Sequence, residues 1–551
     1  MKHFIKLFIL SGAFFLASSC SLDLLDSPNS VTTGSTDMNF LLNNAQLAHR
    51  NAFNGFSDIG LRLTRMLNQG AVIYDNAVTP GGVDGIWNTT YAVALADIKS
   101  IIDIGTTSEF FLHTGIAKVL RSHLLTMLVD HFGDVPYSKA LDPNEFNPAV
   151  DKGADLYTAA LADLDAAIVD FGKAHKGTPN DFVYRGDKTK WIRAANTMKL
   201  RIYLNRRLVD PGAAGAINGL IAGNNMIQNS SQSFKYGYGT NLSNPDARHP
   251  RYAGQYSTTG GGDYQSNYYM RQFIDAKGFA DPRLRYYFYR QVIKDTKDPN
   301  DLRCITNQKP RHYPEEMVFC VAGSNTGGDN GYWGRDHLNN EGIPPDGLKR
   351  TAWGLYPAGG LYDNDAGKAV SLGAGAGGAG IQPVLMSSFV DFMLAESALI
   401  LKTTGDPKVL LESAIRKSMN EVREISLATS QGSVAGAFEA SKGIVYADEV
   451  NKYIAKVKEN YDAAATDGDK LNIIITEYWL ATWGNGIEAY NFYRRTGKPA
   501  NNQPALDPNP GEFVYSVYYP LSFVQRNSSA TQKSDVKTKV FWDSNPVGFV
   551  K

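Results

Sequence analysis

Residues 387–425 read SSFVDFMLAESALILKTTGDPKVLLESAIRKSMNEVREI, and this stretch decides the fold. Phe389, Phe392, Met393 and Leu399 recur at helical spacing, and the small residues Ala395 and Ala398 allow a neighbour to approach closely. Gly405-Asp406-Pro407 then breaks the helix, after which Leu410, Ala414 and Met419 carry a second apolar stripe. Two helices of this length around a short Gly/Pro turn predict an antiparallel hairpin.

Working outward, the same period returns. In Asp155–Phe171 the apolar positions are Tyr157, Leu161, Leu164, Ile168 and Phe171, with Asp163, Asp165 and Asp170 off the stripe. Lys188–Val209 repeats it through Trp191, Ala195, Met198 and Ile202, and Phe110–Phe132 is a long helix ended by Gly133. A final helix is expected over roughly Ile473–Arg495, and the best strand signal is Phe513–Tyr519. Helix hairpins of this kind recur in tetratricopeptide arrays, although no strict period of about 34 residues is visible, so any repeats have diverged. Between the helical blocks, 228–267 and 324–382 are rich in Gly, Asn, Tyr and Pro and too long to be plain connections. The fold class is therefore mainly α, a scaffold of tetratricopeptide-like helix pairs with long irregular loops and little β.

The chain of 551 residues is 43% hydrophobic, enough to bury a large core. Lys plus Arg equals Asp plus Glu at 55 each, so no net positive field exists to gather nucleic acid. At the N-terminus, Lys2 and Lys6 precede an apolar run from Leu7 to Ala17 and then Leu16-Ala17-Ser18-Ser19-Cys20. The run is shorter than the roughly 20 residues of a spanning helix and reads as a secretory signal. A cysteine directly after small residues looks like a bacterial lipobox, with Cys20 the lipidated first residue of the mature protein. The expected organisation is a signal peptide at 1–19, a lipidated Ser/Thr/Asn/Asp-rich tether at 20–36, and a single domain at 37–551. Cys304 and Cys320 remain; in an exported protein they form a loop-stapling disulfide or stay as two buried thiols, and both readings stand.

Enzyme signatures fail one by one. Gly373-Ala374-Gly375-Ala376-Gly377-Gly378 satisfies G-x-G-x-x-G, but Pro383 follows at once where a phosphate-binding helix would have to start. No H-E-x-x-H or G-x-S-x-G occurs. His113, His123 and His131 are not one turn apart on one face and read as ordinary helix residues. Asp363-Asn364-Asp365 begins like a calcium loop, yet Ala374 stands where a bidentate Glu is needed; an irregular cation site stays open. Neither a cofactor nor a metal is called for, and the chain is not expected to be an enzyme.

Several segments, in order, resemble the SusD/RagB family of nutrient-binding outer-membrane lipoproteins. Arg121-Ser122, through Leu128-Val129-Asp130-His131-Phe132-Gly133-Asp134-Val135-Pro136-Tyr137-Ser138, is similar to the family's segment ending in F-G-D-V-P-Y. Arg185-Gly186-Asp187-Lys188-Thr189-Lys190-Trp191 resembles its G-D-x-x-K-W helix start, with Asp187 as N-cap. Asp281-Pro282-Arg283-Leu284 and Ala395-Glu396-Ser397-Ala398 look like its D-P-R-L turn and L-A-E-A-A helix. Thr476-Glu477-Tyr478-Trp479-Leu480-Ala481, Gly486-Ile487-Glu488-Ala489-Tyr490-Asn491 and Arg494-Arg495-Thr496-Gly497 resemble its C-terminal signature, although Glu477-Tyr478 departs from the usual Q-K-W-I-A. Tyr519-Pro520 and Phe541-Trp542-Asp543 resemble its closing turn and tail. Trp191, Trp479 and Arg494 are read as packing and capping residues. The resemblance implies a ligand-facing irregular region, an oligosaccharide or peptide ligand, an outer-membrane location, and a SusC-like TonB-dependent barrel as partner.

No ligand residue carries over by motif, so composition selects the candidates. Tyr332, Trp333, Arg335, Asp336, Arg350, Trp353 and Tyr356 crowd two Trp, two Tyr and charged groups into one aperiodic loop. Sugar rings present apolar faces and polar rims, which suits aromatic platforms flanked by charge. A loop filled by its own aromatics fits the same composition. Trp87, after Gly81-Gly82, is a second candidate, and its spacing to Tyr91 also fits one buried helix face. Beside nutrient capture stand a helical-repeat surface scaffold for other proteins and a surface hydrolase, the last disfavoured by the missing motifs.

Overall fold

The computed structural model describes residues 37–323 and 329–551. The signal peptide, Cys20 and the tether, with 324–328 of the second long loop, lie outside them. Counting helices of eight residues or more, α1 is Met38–Leu63, α2 Ala96–Thr107, α3 Phe111–Phe132, α4 Gly153–Gly172, α5 Lys188–Asn205, α6 Ala213–Gly223 and α7 Asn267–Ile274. After the long loops come α8 Ser387–Ile400, α9 Pro407–Leu427, α10 Gly432–Ser441, α11 Tyr446–Ala463, α12 Asp467–Ala481 and α13 Gly486–Thr496. The pairs α3/α4, α4/α5, α8/α9 and α11/α12 pack against each other along the chain, and α13 returns onto α1.

The hairpin of 387–425 forms as its pattern predicts. Asp406 caps α9, accepting from the backbone N–H of Lys408 at 2.8 Å and Val409 at 2.9 Å, and Pro407 occupies the first turn. Glu421 of α9 is buried and accepts from the hydroxyls of Ser387 at 2.7 Å and Ser388 at 2.9 Å, which fixes the start of α8. Asp187 caps α5 through Thr189 and Lys190, and Gly133 ends α3 with φ 78°.

Three expectations need correction. The final helix is two, because Thr482 to Asn485 interrupts it: Gly484 has φ 95°, and Asn485 caps α13 on Glu488 at 3.1 Å while donating to the carbonyls of Pro383 and Val384, both at 3.0 Å. Phe513–Tyr519 forms no strand; Tyr518 apart, its side chains are buried on both faces, and its N–H groups find irregular partners such as Val536 and His131. The strands are instead β1 Phe234–Gly237 with β4 Ile381–Leu385, and β2 Phe288–Tyr289 with β3 Ala352–Trp353, both antiparallel. Third, Asp163 and Asp170 of α4 are buried, not off the packed face, because α3 supplies their cations. Arg121 grips Asp163 through Nε at 2.7 Å and Nη2 at 2.6 Å, and Lys118 meets Asp170.

The α1/α13 contact is backbone on backbone. A Cβ on Gly60 would lie 2.0 Å from the Gly486 carbonyl, so only glycine permits this approach. Almost all buried apolar side chains form one cluster; a small satellite of Leu302, Cys304, Cys320, Val321 and Trp333 sits apart.

Candidate functional site

The loop selected from composition is folded inward. Trp333 is fully buried in the satellite cluster beside Cys304 and Cys320, which are joined in a disulfide. Trp353 is also fully buried, its ring 4.1 Å from that of Trp483 at 20°. Tyr356 stacks on Tyr287, and the Tyr332 hydroxyl donates to Asp363 at 2.8 Å. Arg335 and Arg350 each place the guanidinium carbon 3.7 Å from the centroid of Tyr264, which requires opposite faces of that ring. Asp336 accepts from the Cys320 N–H at 2.8 Å and the Gln503 amide at 2.8 Å, and burial raises its carboxyl. Trp87 packs among Tyr91, Phe132 and Phe523. None of the three Trp rings presents a face to solvent, which corrects the platform expectation. With little regular structure in the loop, its large rings supply the interior that helices supply elsewhere.

The apparent calcium loop is filled by protein cations. Asp363 pairs with Arg290 at 2.7 Å and Asp365 with Arg285 at 2.7 Å. Among the described residues no group of three metal-ligating side chains occurs. His123 and His131 are buried in α3, and His123 shares a 3.0 Å hydrogen bond with His49.

The cleft that the loop does support lies one layer further out. It is an open hollow of about 560 Å³, in the range of small-molecule sites, between the second half of α1, the turn Ala77–Val83 and Arg251. Its floor is a closed ring of alternating charge. Arg62 bonds Asp58 at 3.0 Å and Asp263 at 2.6 Å; Arg251 bonds Asp58 at 2.6 Å and Asp263 at 2.8 Å. Burial alone would raise the Asp58 carboxyl, but Arg251 and Arg62 beside it hold it below the usual carboxylate range, and Asp263 is lowered in the same way. Two carboxylates and two guanidiniums cancel, so the floor favours neither anion nor cation. Trp353 reaches this cleft only from behind, its Nε1 donating to Asp263 at 3.2 Å and its ring lying 5.5 Å beneath Arg251.

The hollow is also lined by Asn54 and Gln69, whose side-chain amides bond no other described residue, and by Thr79, Gly82 and Ile86. Gln69 is buried overall, but its amide borders the open hollow, where it is free to bond a polar ligand that enters. Sequence reading missed every one of these groups except the Gly81-Gly82 turn. The spacing of Asn54, Asp58 and Arg62 along one face of α1 was the available signal.

Comparison with known proteins follows the same lines. A family model described as "Starch-binding associating with outer membrane" matches residues 29–304, and one described as "Susd and RagB outer membrane lipoprotein" matches 381–541. The chain belongs to the SusD-like family. Solved SusD-like structures share its fold across nearly the whole chain. A SusD homologue from Bacteroides fragilis is 17% identical, with 93% of this chain and 100% of that one covered at a TM-score of 0.64. A SusD/RagB family protein from Bacteroides thetaiotaomicron is 18% identical, with coverages of 93% and 100% and a TM-score of 0.65. A chitin-binding SusD homologue from Flavobacterium johnsoniae is 19% identical, with coverages of 92% and 98% and a TM-score of 0.61. No curated protein matches the chain.

The SusD-like motifs are scaffold in this chain. The Trp191 indole donates to Asp181 at 2.8 Å and the Trp479 indole to the Thr64 carbonyl at 3.1 Å. Arg494 donates to the Tyr515 carbonyl at 2.6 Å and lies 3.6 Å over Tyr490. Arg495 clamps Glu396 through Nε at 2.9 Å and Nη2 at 2.6 Å, and Arg201 bridges Asp130 and Glu488. These groups join α3, α5, α8 and α13 from inside. None of them lines the cleft.

Proposed function

We propose that this SusD-like chain is a cell-surface nutrient-binding protein that takes a neutral oligosaccharide into the Asp58–Arg251 cleft and delivers it to a SusC-like TonB-dependent transporter. The observation that carries the reading is the cleft's pairing of a charge-neutral polar floor with the unpartnered amides of Asn54 and Gln69. Hydroxyl-rich neutral ligands satisfy such groups, and a charged peptide terminus finds no uncompensated partner there. The chitin-binding homologue supports a glycan ligand. A lipidated Cys20 would hold the protein at the outer membrane, and no helix among the described residues is long and apolar enough to span one.

Three measurements test this. An array of neutral glycans and peptides probed with the full chain should retain glycans; retention of peptides alone would replace the ligand class. Expressed with its cognate barrel, the protein should co-purify in mild detergent through an interface above roughly 1,000 Å². Recovery of free protein only, with the barrel present, would remove the transport step. Replacing Cys20 by Ala should shift the protein from the membrane to the soluble fraction.

A further inference from the structure

A second hollow, of about 520 Å³, is lined by residues further along the segment that walls the cleft. Val83 and Ile86 face the first site, whereas Tyr91 and Leu95, further along the same segment, line the second with Lys99, Arg121, Tyr137 and Leu141. Residues Thr89–Leu95 form a π-helical turn, a rare conformation concentrated at functional sites. The Tyr91 hydroxyl donates to the Pro136 carbonyl at 2.7 Å, which fixes its ring in the wall. Tyr137 is half-buried, and its hydroxyl makes no hydrogen bond among the described residues. Arg121 uses Nε and Nη2 on Asp163 and leaves Nη1 unbonded there.

The charges of this wall also cancel in pairs. Arg121 faces Asp163, Lys99 bonds Asp103, and Lys139 lies 3.6 Å from Asp142. Two tyrosine rings, an aliphatic side of Leu95, Ala140 and Leu141, and two free hydrogen-bonding groups are thus set in a neutral pocket. That combination suits the alternating apolar faces and hydroxyl rims of a sugar and gives no grip to an ionic ligand. We propose that this pocket is a second saccharide-binding site, taking one or two sugar units of a neutral glycan. Two linked sites would raise the avidity for a long chain over either site alone. The inference rests on the glycan reading of the main cleft, but its residues are different ones.

The test uses the full chain, an array of neutral oligosaccharides that includes maltohexaose and chitohexaose, and titration calorimetry with the glycan retained. Ala140→Trp fills the second pocket, Tyr137→Phe removes only its free hydroxyl, and Asn54→Trp fills the main cleft. The wild type should bind two equivalents of a short oligomer; Ala140→Trp and Asn54→Trp should each remove one. Tyr137→Phe, which leaves the packing intact, should weaken the second equivalent roughly fivefold. One equivalent, unchanged by Ala140→Trp and Tyr137→Phe but lost in Asn54→Trp, overturns the second site and leaves the first. Failure of the wild type to retain any neutral glycan overturns both.

Discussion

Trp353 and Asn54 stand on opposite sides of the same cleft floor, and their truncation separates structure from binding. Trp353→Ala removes a fully buried ring stacked on Trp483 and an indole bonded to Asp263, so it should cost about 3–5 kcal/mol of stability. Asn54→Ala removes a half-buried amide with no protein partner and should stay within about 0.5 kcal/mol. Urea midpoints of the two variants check this; a Trp353→Ala protein as stable as wild type would contradict the interior placement. The Cys304–Cys320 disulfide, spanning 16 residues, should contribute about 3 kcal/mol to the local fold, measured by melts with and without reductant. Composition made the aromatic density of 332–356 legible but not the direction of its rings. Trp353 is covered by Trp483, Arg251 and Asp263, none of them near it in sequence, and no local pattern records such partners.

The helices carry their own evidence in their caps and close contacts. Asp406→Ala should cost about 1 kcal/mol through the lost N-cap of α9. Gly60→Ala forces a methyl against the Gly486 carbonyl and should cost about 1–3 kcal/mol or more. Gly436→Ala, inside α10 with nothing near its Cβ, should instead stabilise by up to about 1 kcal/mol. Chemical denaturation of the two glycine variants reads both signs, and equal shifts would undo the close-approach argument. The hairpin at 387–425 was legible because its apolar spacing, Gly/Pro break and Asp cap all agree. The break between α12 and α13 was signalled by Gly484-Asn485-Gly486, yet the apolar period on either side runs on and masks it. Phe513–Tyr519 misled because a β-rich composition without alternation fits any buried extended segment.

Across the whole molecule, burial keeps several imidazoles neutral. His49 and His249 are lowered to about 3 and His131 to about 4, with His123 and His337 also well below the ordinary value. The unfolded chain takes up protons at these positions first, near pH 6.5, so what the neutral histidines contribute to stability is full above that pH. It should fall progressively as pH drops from about 6.5 towards 4. Urea midpoints at pH 7.5, 5.5 and 4.5 should decrease in that order; a flat series would contradict the neutral buried histidines. At this scale the family motifs made the architecture legible, because their residues are the scaffold. The cleft was not legible, since its walls come from α1, the 77–83 turn and Arg251, which only the fold brings together. The most direct measurement is calorimetric titration of wild type and Asn54→Trp with the neutral oligosaccharide retained on the array. Binding at the main cleft in the wild type, lost when Asn54→Trp fills it while the melting temperature stays put, is the predicted result. Undiminished binding by Asn54→Trp would contradict the cleft as the nutrient site.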